Sequence, residues 1–593
     1  MPIPTPRPQP AAEHLETVTG RDALDRLAPP SPWAPDAPAL GDVVPVPVDV
    51  RPTPGVTYAL TADAVVTTTP EPSATAVGEY LADLLRPATG YPLPVSEAGP
   101  DTPAGGISLL ITDTVTELAD TVTGLTDHPE GYRLDVTADR VVIRARTGAG
   151  LFHGVQTLRQ LLPAAIESRT TLAAPWIVPG GSIVDHPRFT YRGAMLDVAR
   201  HFFPVADVRR YIDQIARYKI NHLHLHLTDD QGWRIAIDSW PRLATVGGAT
   251  EVGNGPGGYY TREQYREIVD YAASRHVTIV PEIDLPGHTN AALTAYDTLA
   301  PDGVTPTPYT DTEVGFSTVA VNRELTYDFV TDVLRELAEL SPGPYLHIGG
   351  DEAFKLAAAD YVAFMDRTQS IVAATGKTVV GWHQLAPAAH VPGRIIQYWG
   401  TATADPVVTE AVRQGARLIL SPGNRTYLDM KYTSDTPLGQ DWAGLIPVRT
   451  AYDWNPGAYL DDVPADAVLG VEAPLWTETI KSASDIEVMA FPRLPAVAEL
   501  GWSPATAHDW AGFRDRLAAQ GPRWTIAGIA FHRSPEVPWP GTAPQPEAPA
   551  PTPDATDSGA AAPAGLPAGS PTRVIGPATP EVTTPDGGSL DRA

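Results

Sequence analysis

The chain has no cysteine among its 593 residues. Without thiols it can form no disulfide, offer no thiolate nucleophile, and build no zinc finger or iron–sulfur cluster of the cysteine-rich kind. Any catalysis must therefore rest on carboxylate, imidazole and hydroxyl groups.

Basic side chains are also scarce, with 42 lysines and arginines against 70 aspartates and glutamates and a net charge of −28. Such a charge repels phosphate backbones and anionic lipid headgroups, so nucleic-acid and membrane-surface partners are disfavoured. No stretch approaches the roughly 18 apolar residues of a bilayer-spanning helix. The opening MPIPTPRPQP lacks the cationic and then apolar pattern of a signal peptide, so none is predicted at this start.

Proline is abundant, with 63 residues, and much of it lies at the two ends. Residues 1–40 are predicted to be a Pro-rich leader with one short helical possibility at 11–27. Residues 541–593 are predicted to be a disordered Pro/Ala-rich tail, because such a composition buries too little apolar surface to offset its ordering entropy. Between them the pattern changes at about residue 185, which predicts two folded domains, 41–185 and 186–535.

The first of these domains has the pattern of a small α+β unit. Strand-like alternation at 56–60 and 64–68 is followed by helical spacing at 74–85, and a second helix is predicted at 150–162. The segment has no paired acids, histidine cluster or glycine-rich phosphate loop. A structural accessory role is the prediction.

The second domain alternates apolar, β-branched runs with amphipathic helical segments. Such alternation predicts a parallel sheet covered by helices, and eight repeats predict closure into a (β/α)8 TIM barrel. The eight predicted strands are 193–198, 222–227, 278–283, 345–348, 378–381, 394–398, 417–420 and 467–471.

Acids and aromatic residues follow nearly every predicted strand, where a barrel of this type carries its chemistry. Aromatic rings pack on the apolar faces of a pyranose, while carboxylates and arginine bind its hydroxyls, so this pattern predicts a sugar pocket. The residues concerned are Arg200, His201, Asp229, Asp230, Trp233, Glu282, Asp284, His288, Asp351, Glu352, Trp382, His383, Trp399, Tyr427, Asp429, Trp476 and Glu478.

The most informative segment is HIGGDE at 347–352. Glycosidases that use two carboxyls hold them about 5–5.5 Å or 6.5–9.5 Å apart across the scissile bond, which is awkward for sequence neighbours. Successive side chains diverge along an extended backbone, so Asp351 and Glu352 are expected to contact two parts of one substrate. One carboxyl could protonate the leaving oxygen while the other orients a nucleophile from the substrate, such as a 2-acetamido group. The alternative is a helix N-terminus, where acids favour the helix dipole.

Five ordered segments carry a family resemblance. They are LDVARHFFP (196–204), HLHLHLTDDQGWR (222–234), VPEIDLPGHTNAA (280–292), YLHIGGDEA (345–353) and LWTE (475–478). Together they resemble the glycoside hydrolase family 20 β-N-acetylhexosaminidases, over residues 41 to 535. The resemblance implies a retaining, substrate-assisted, exo-acting enzyme on carbohydrates with a terminal β-linked N-acetylhexosamine, and it implies no metal and no organic cofactor.

The resemblance also implies residue roles. Glu352 would be the general acid and then the base, Asp351 would bind the acetamide N–H, and Tyr427 would donate its hydroxyl to the acetamide oxygen. Arg200 would bind the 3- and 4-hydroxyls, with Asp429 and Glu478 on the 4- and 6-hydroxyls. The acetamide pocket and the sugar face would be lined by Trp382, Trp399 and Trp476.

Asp229, Asp284 and His288 would lie behind Glu352 or at the rim, orienting that carboxyl and adjusting its pKa. Trp442 is expected on the aglycone side. Arg200 has an alternative as a simple ion-pair partner of Asp197, and His347 is expected to be a core histidine satisfied by a neighbour.

Two other functions are compatible with parts of the sequence. His222, His224 and His226 alternate along one strand, as in metal-dependent amidohydrolases, and His383 is available, but no convincing set of further ligands completes such a site. A sugar-binding protein on an inactive barrel is the second alternative. The natural substrate, the gluco or galacto preference and the oligomeric state stay open, and the location is extracellular by the resemblance or cytoplasmic by the missing signal.

Overall fold

The computed structural model describes residues 38–97, 105–113 and 128–540. The helical possibility at 11–27, nearly all of the leader and the tail from 541 lie outside the described residues. Within them the chain forms a seven-stranded sheet followed by a closed eight-stranded barrel. No helix in these three ranges is long and apolar enough to cross a bilayer.

The accessory domain is a mixed sheet with two helices packed on it. Its strand order is β1-β7-β5-β6-β4-β2-β3, and the helices bury a continuous apolar side against it. The strands are β1 Asp49–Ala59, β2 Val66–Thr68, β3 Val95–Glu97, β4 Gly106–Ile111, β5 Tyr132–Val136, β6 Arg140–Ala145 and β7 Ile177–Asp185, and the helices are α1 Pro72–Thr89 and α2 Gly148–Leu161.

The second domain is a closed barrel of parallel strands, and all eight predicted runs are strands of it. A short hairpin, β10 and β11, follows the second barrel strand. The strands are β8 Tyr191–Asp197, β9 His222–His226, β10 Thr228–Asp229, β11 Gly232–Trp233, β12 Thr278–Glu282, β13 Tyr345–His347, β14 Thr378–Trp382, β15 Ile395–Tyr398, β16 Arg417–Leu420 and β17 Val468–Ala473. The predicted α/β class and (β/α)8 architecture are confirmed.

Helices surround the barrel and begin where the sequence supplies caps. Thr261 and Gln264 form a reciprocal capping box, and Asp405 caps a helix that starts with proline. The helices are α3 Val205–Ala216, α4 Arg242–Thr245, α5 Arg262–Ala273, α6 Asn290–Ala295, α7 Glu324–Leu340, α8 Ala358–Ala374, α9 Pro406–Arg413, α10 Val448–Tyr452, α11 Ala483–Ala490, α12 Arg493–Trp502, α13 Trp510–Ala518 and α14 Gln520–Ala527. Short 3-10 turns occur at Ala164–Glu167, Val252–Asn254, Asp297–Leu299, His383–Leu385, Pro456–Ala458, Ala465–Ala467 and Ala505–Ala507.

The accessory domain contacts the barrel at the N-terminal ends of the barrel strands. Lys219, just before β9, places its Nζ 2.8 Å from Asp185 Oδ2 and 2.9 Å from Tyr132 Oη. The same ammonium lies 4.4 Å from the ring centroid of Trp502, whose indole N–H donates to Asp185 at 3.0 Å. This contact lies at the end opposite to the strand exits, so it fixes the domains without entering the pocket.

Replacement of Lys219 by Met should destabilise the protein strongly. Both Lys219 and Asp185 are fully buried, and removing one partner of a buried pair leaves an uncompensated charge at a cost of about 3–5 kcal/mol. Urea unfolding followed by tryptophan fluorescence measures the change. The matched control is Arg209→Met, which breaks an exposed 2.9 Å pair with Glu267 and should cost less than about 1 kcal/mol. Equal small losses in both variants would contradict a domain-fixing role.

Candidate active site

The acid pair lies on a turn and not on a strand. Strand β13 ends at His347, and the chain then turns through Gly349 and Gly350, with φ of 62° and 103°. Glu352 itself has a φ of 49°, in the left-handed region. The expectation that the two side chains diverge along an extended backbone is therefore wrong.

Instead the two carboxyls meet at one imidazole. His288 Nε2 lies 3.7 Å from Asp351 Oδ2 and 3.4 Å from Glu352 Oε2. The side chain of Asp351 is 11% exposed and that of Glu352 is 22% exposed, so Glu352 is the more open to a ligand. Both can contact the same small substrate.

The tight turn requires glycine because Asp284 packs against it. A Cβ on Gly349 would stand 1.7 Å from Asp284 Oδ1, and the N–H of Gly350 donates to that oxygen at 3.0 Å. Burial, and then the charge of Asp351, raise the pKa of Asp284 well above its ordinary value. Asp284, behind the acid pair, therefore holds a proton more strongly than an exposed aspartate does.

His288 is charged between carboxylates. Burial alone would lower the pKa of His288, but the charges of Asp229 and Asp351 outweigh it and raise that pKa well above its ordinary value. Its Nδ1 lies 3.1 Å from Asp229 Oδ1. Burial raises the pKa of Asp351 despite the opposing charge of His288, since Glu352 also stands close. The three residues predicted to stand behind Glu352 thus lie together there.

The predicted tryptophans and the tyrosine form one aromatic wall. Ring centroids of Trp382 and Trp476 are 5.8 Å apart, and those of Tyr427 and Trp476 are 6.3 Å apart. Trp399 joins through Trp442, whose ring lies 5.9 Å from Trp399 and 5.7 Å from Tyr427. Trp442, expected only on the aglycone side, is in contact with the same wall. The rings are tilted by 41° to 84° to one another, and such a concave aromatic surface fits the face of a sugar and a methyl group.

Arg200 is an ion-pair partner at the other side of the site. Its Nη1 lies 3.3 Å from Asp197 Oδ2 and its Nη2 lies 2.9 Å from Asp229 Oδ2, while its guanidinium stands over the Trp476 ring at 4.9 Å. The pairing with Asp197 considered from the sequence is therefore present. The charge of nearby Glu478 is among those that raise the pKa of Arg200 well above its ordinary value against the effect of burial.

Asp429, which is buried, and Glu478, which is half-buried, form an acidic pair. Burial and the charge of Glu478 raise the pKa of Asp429 well above its ordinary value, and burial also raises that of Glu478 although Arg200 opposes it. Asp429 Oδ1 accepts the N–H of Trp476 at 3.4 Å. Carboxyl groups that can both donate and accept hydrogen bonds suit sugar hydroxyls, which do the same.

Several buried polar atoms here have no hydrogen-bond partner within the described part of the chain. Buried polar groups in proteins are almost always hydrogen-bonded, so a cluster of unpaired atoms in one pocket indicates a site for a polar ligand. The atoms are Arg200 Nε, His288 Nε2, Asp351 Oδ1, Trp382 Nε1 and Asp429 Oδ2.

Sequence reasoning missed how the barrel histidines are used. His224 lies 3.0 Å from Glu282 and 3.0 Å from Glu472. His347 is a buried core histidine, as predicted, and its Nδ1 accepts the N–H of Gly349 at 3.1 Å and lies 2.9 Å from Glu282, but its Nε2 has no hydrogen-bond partner among the described residues. Glu472 was not predicted; its inward position in β17, where alternate residues face the barrel interior, could have revealed it.

The metal interpretation of the His-x-His strand is not supported by these contacts. His224, Glu282 and His347 do offer ligand atoms within 4.8 Å of one another, but both nitrogens of His224 are already hydrogen-bonded to Glu282 and Glu472. His222 is stacked on Tyr191 at 4.1 Å near the base of the barrel, far along β9 from the acid pair. The strand therefore supplies an acid–imidazole network to the barrel core.

Comparison with known families agrees with this geometry. Residues 189–360 and 357–505 match the model described as glycosyl hydrolase family 20, catalytic domain, and residues 41–186 match domain 2 of the same family. The chain belongs to glycosyl hydrolase family 20. The resemblance stated from the five sequence segments is confirmed.

Relatives of this family 20 chain cover nearly its whole described length. A β-N-acetylhexosaminidase of Cellulomonas fimi is 42% identical over 500 residues, spanning 84% of this chain and 97% of that protein. A mutant β-hexosaminidase of Streptomyces plicatus in complex with the product GlcNAc is 59% identical with a TM-score of 0.80, covering 84% of this chain and 98% of that one. The family 20 β-N-acetylhexosaminidase of Streptomyces coelicolor A3(2) is 58% identical, with a TM-score of 0.80 and coverage of 84% and 99%.

In this family 20 chain, Gly349→Ala should abolish most activity. The new methyl group would overlap Asp284 and force the acid pair to move, and a displacement of about 1 Å at a catalytic group costs roughly 100-fold in kcat/KM. Gly376→Ala is the control, since it has a φ of 79° but nothing within 4 Å of a new Cβ. It should lose about 1–2 kcal/mol of stability and keep its activity. An active Gly349→Ala enzyme would contradict the tight turn.

Proposed function

We infer that the protein is a retaining, exo-acting β-N-acetylhexosaminidase. It removes terminal non-reducing N-acetylglucosamine or N-acetylgalactosamine from chitooligosaccharides or glycoconjugates, using the acetamido group of the substrate as the nucleophile. The observation that carries this inference is the meeting of two adjacent carboxyls at His288 beside a wall of tryptophan rings. Asp351 and Glu352 face the same imidazole from neighbouring positions, so we propose that neither attacks the anomeric carbon and that the substrate supplies the nucleophile.

We assign the proton transfers to Glu352. As acid it donates its proton to the glycosidic oxygen while the bond from that oxygen to the anomeric carbon breaks. The acetamide oxygen bonds to the anomeric carbon from the opposite face and gives a cyclic oxazolinium. As base Glu352 then takes a proton from water, whose oxygen attacks the anomeric carbon and reopens the ring. Two inversions give overall retention.

Asp351 and Tyr427 are proposed to hold the acetamide group. An ionised Asp351 accepts its N–H, turns its carbonyl oxygen toward the anomeric carbon and stabilises the positive charge of the oxazolinium. Burial, then the charges of Asp429 and Asp351, raise the pKa of Tyr427 well above its ordinary value, so its hydroxyl stays protonated and can donate to the acetamide oxygen. The methyl group would lie against the rings of Trp382 and Trp399.

Recognition of the remaining sugar is proposed for Arg200, Asp429 and Glu478. The unpaired Nε of Arg200 and Oδ2 of Asp429 supply one donor and one acceptor for the hydroxyls at positions 3, 4 and 6. Trp476, which packs under Arg200, would carry the sugar face. These residues close the site beyond the 4- and 6-hydroxyls, so only the terminal sugar of a chain fits, which supports exo attack.

The division of the chain at residues 185 and 186 stays a prediction. We also propose that the enzyme works outside the cell, where polymeric sugars are met, as the family resemblance suggests. A cytoplasmic enzyme is the alternative, and detection of activity in culture medium against cell lysate decides between them.

Glu352→Gln and Asp351→Asn should differ in their dependence on the leaving group. Loss of the general acid should lower kcat/KM about 10²–10⁴-fold on a sugar leaving group and much less on a dinitrophenyl group, which needs no proton. Asp351→Asn should damage both, because acetamide attack is required for each. Steady-state kinetics on the two substrate classes measures this.

The control is Asp360→Asn, an exposed acid in the first turn of α8. It should leave both rates unchanged. Full activity of Glu352→Gln and Asp351→Asn on both substrates would contradict the assignment of the acid pair.

A further inference from the structure

A second imidazole lies beneath the site and contacts Asp229 from the barrel interior. His226, the last residue of β9, places its Nε2 2.7 Å from Asp229 Oδ2. Its Nδ1 is hydrogen-bonded to Glu282, the last residue of β12. Both His226 and Glu282 are fully buried, so neither can reach a substrate.

Glu282 and His226 form an ion pair in which the two opposite charges offset each other. Burial alone would raise the pKa of Glu282, but the charges of His347, His226 and His224 outweigh it and hold that pKa well below its ordinary value. Burial would lower the pKa of His226, but the charge of Glu282 and the contact with Asp229 raise it well above the ordinary value. As an imidazolium, His226 donates one N–H to each carboxylate.

Asp229 is fixed by contacts on both of its oxygens. Oδ2 receives Arg200 Nη2 at 2.9 Å as well as His226, and Oδ1 accepts the N–H of Asp230 at 2.6 Å and faces His288 Nδ1 at 3.1 Å. Without His226, Oδ2 would be held by Arg200 alone and the carboxylate could rotate toward it. His288 would then lose the partner that sets its ring direction.

We propose that Glu282 and His226 are positioning residues of the reaction, holding Asp229 so that His288 presents its Nε2 to the carboxyl of Glu352. The line runs from the barrel core to the acid through hydrogen bonds and close contacts between successive side chains. It rests on the proposed role of Glu352 as general acid. It also gives the His-x-His strand a use that needs no metal.

The groups that face this line are all on neighbouring elements. Asp229 is faced by Arg200, His226, His288 and Asp230; His288 is faced by Asp229, Asp230, Asp351 and Glu352. Glu352 is faced by His288 and by the charge of Asp351, with the Tyr427 hydroxyl nearby. Asp284 also lies close to Asp229, His226 and Glu282, and His224 and His347 face Glu282 in the barrel interior.

The barrel core offers a matched control. His222, at the other end of the same strand, is also buried, but it stacks on Tyr191 at 4.1 Å and its Nδ1 lies 2.6 Å from Asn221 Oδ1. Burial lowers the pKa of His222 to about 4, so its replacement changes packing without removing a positive charge. A purely structural effect should therefore be similar in His226→Gln and His222→Gln.

The test is the leaving-group dependence of kcat/KM in these two variants. His226→Gln should lose about 10- to 100-fold on N,N′-diacetylchitobiose and much less on a dinitrophenyl N-acetylglucosaminide, because only the first needs a correctly aimed acid. The basic limb of the pH profile of kcat/KM on chitobiose should move to higher pH in this variant, since removing a buried positive charge raises the pKa of nearby acids. His222→Gln should show neither change.

A double-mutant cycle with Asp229→Asn tests that His226 acts through Asp229. The double variant should be no worse than the worse single variant, because both changes break the same line. If the losses of the two single variants multiply in the double variant, or if His226→Gln loses equally on both substrates, the proposal is overturned. If His226→Gln does not fold, the isosteric Glu282→Gln carries the same leaving-group test with the same two outcomes. Failure of the proposed function itself would be seen separately, as an absence of hydrolysis by the unmodified enzyme.

Discussion

The imidazolium of His288 allows several carboxyl groups to crowd together at the mouth of the barrel. Asp229, Asp351 and Glu352 all lie within 4 Å of one of its nitrogens, in a site where burial weakens solvation of charge. Without a positive charge between them these groups would repel each other or bind protons they need to release. The raised pKa of Asp284 and the pairing of Asp229 with Arg200 reduce the same repulsion.

The barrel supplies this arrangement through three neighbouring strands. Strands β9, β12 and β13 are adjacent in the closed sheet, and their parallel direction brings the segments after them to one edge. Each contributes part of the cluster: Asp229 after β9, Asp284 and His288 after β12, and the acid pair after β13. The glycine turn before Asp351 then bends the chain back over Asp284. The accessory domain lies at the far end and leaves the pocket unobstructed.

Much of this could be predicted from sequence because two simple signals are strong. Strands buried on both sides appear as apolar, β-branched runs, so all eight barrel strands were found. Chemistry-bearing residues appear immediately after those runs, so the acid pair, His288 and the tryptophans were found together. The contacts of Lys219 with Asp185 and of Gly349 with Asp284 join residues far apart in the chain, so no run of residues reveals them.

The remainder depends on conformations and pairings that one sequence does not display. The left-handed φ of Glu352 is unusual outside glycine, and it is what brings two neighbouring carboxyls to one imidazole. Glu472 and Glu282 are polar residues that face the barrel interior from buried strands. A histidine beside them can pair with a carboxylate or bind a metal, and the sequence alone does not show which residues are in contact. Trp442 lies in a long segment without regular structure between β16 and α10, so its contact with Trp399 and Tyr427 followed no periodicity.

The central claim is that the acetamido group of the substrate performs the nucleophilic step that no carboxyl of the site performs. The most direct measurement compares kcat/KM for aryl glycosides whose N-acetyl group carries zero, one, two or three fluorine atoms. Fluorine withdraws electrons from the carbonyl oxygen, so an attacking acetamide predicts a steep, progressive fall in kcat/KM along the series. Rates that stay level across the four substrates would contradict the account, because an enzymic nucleophile would not depend on that oxygen.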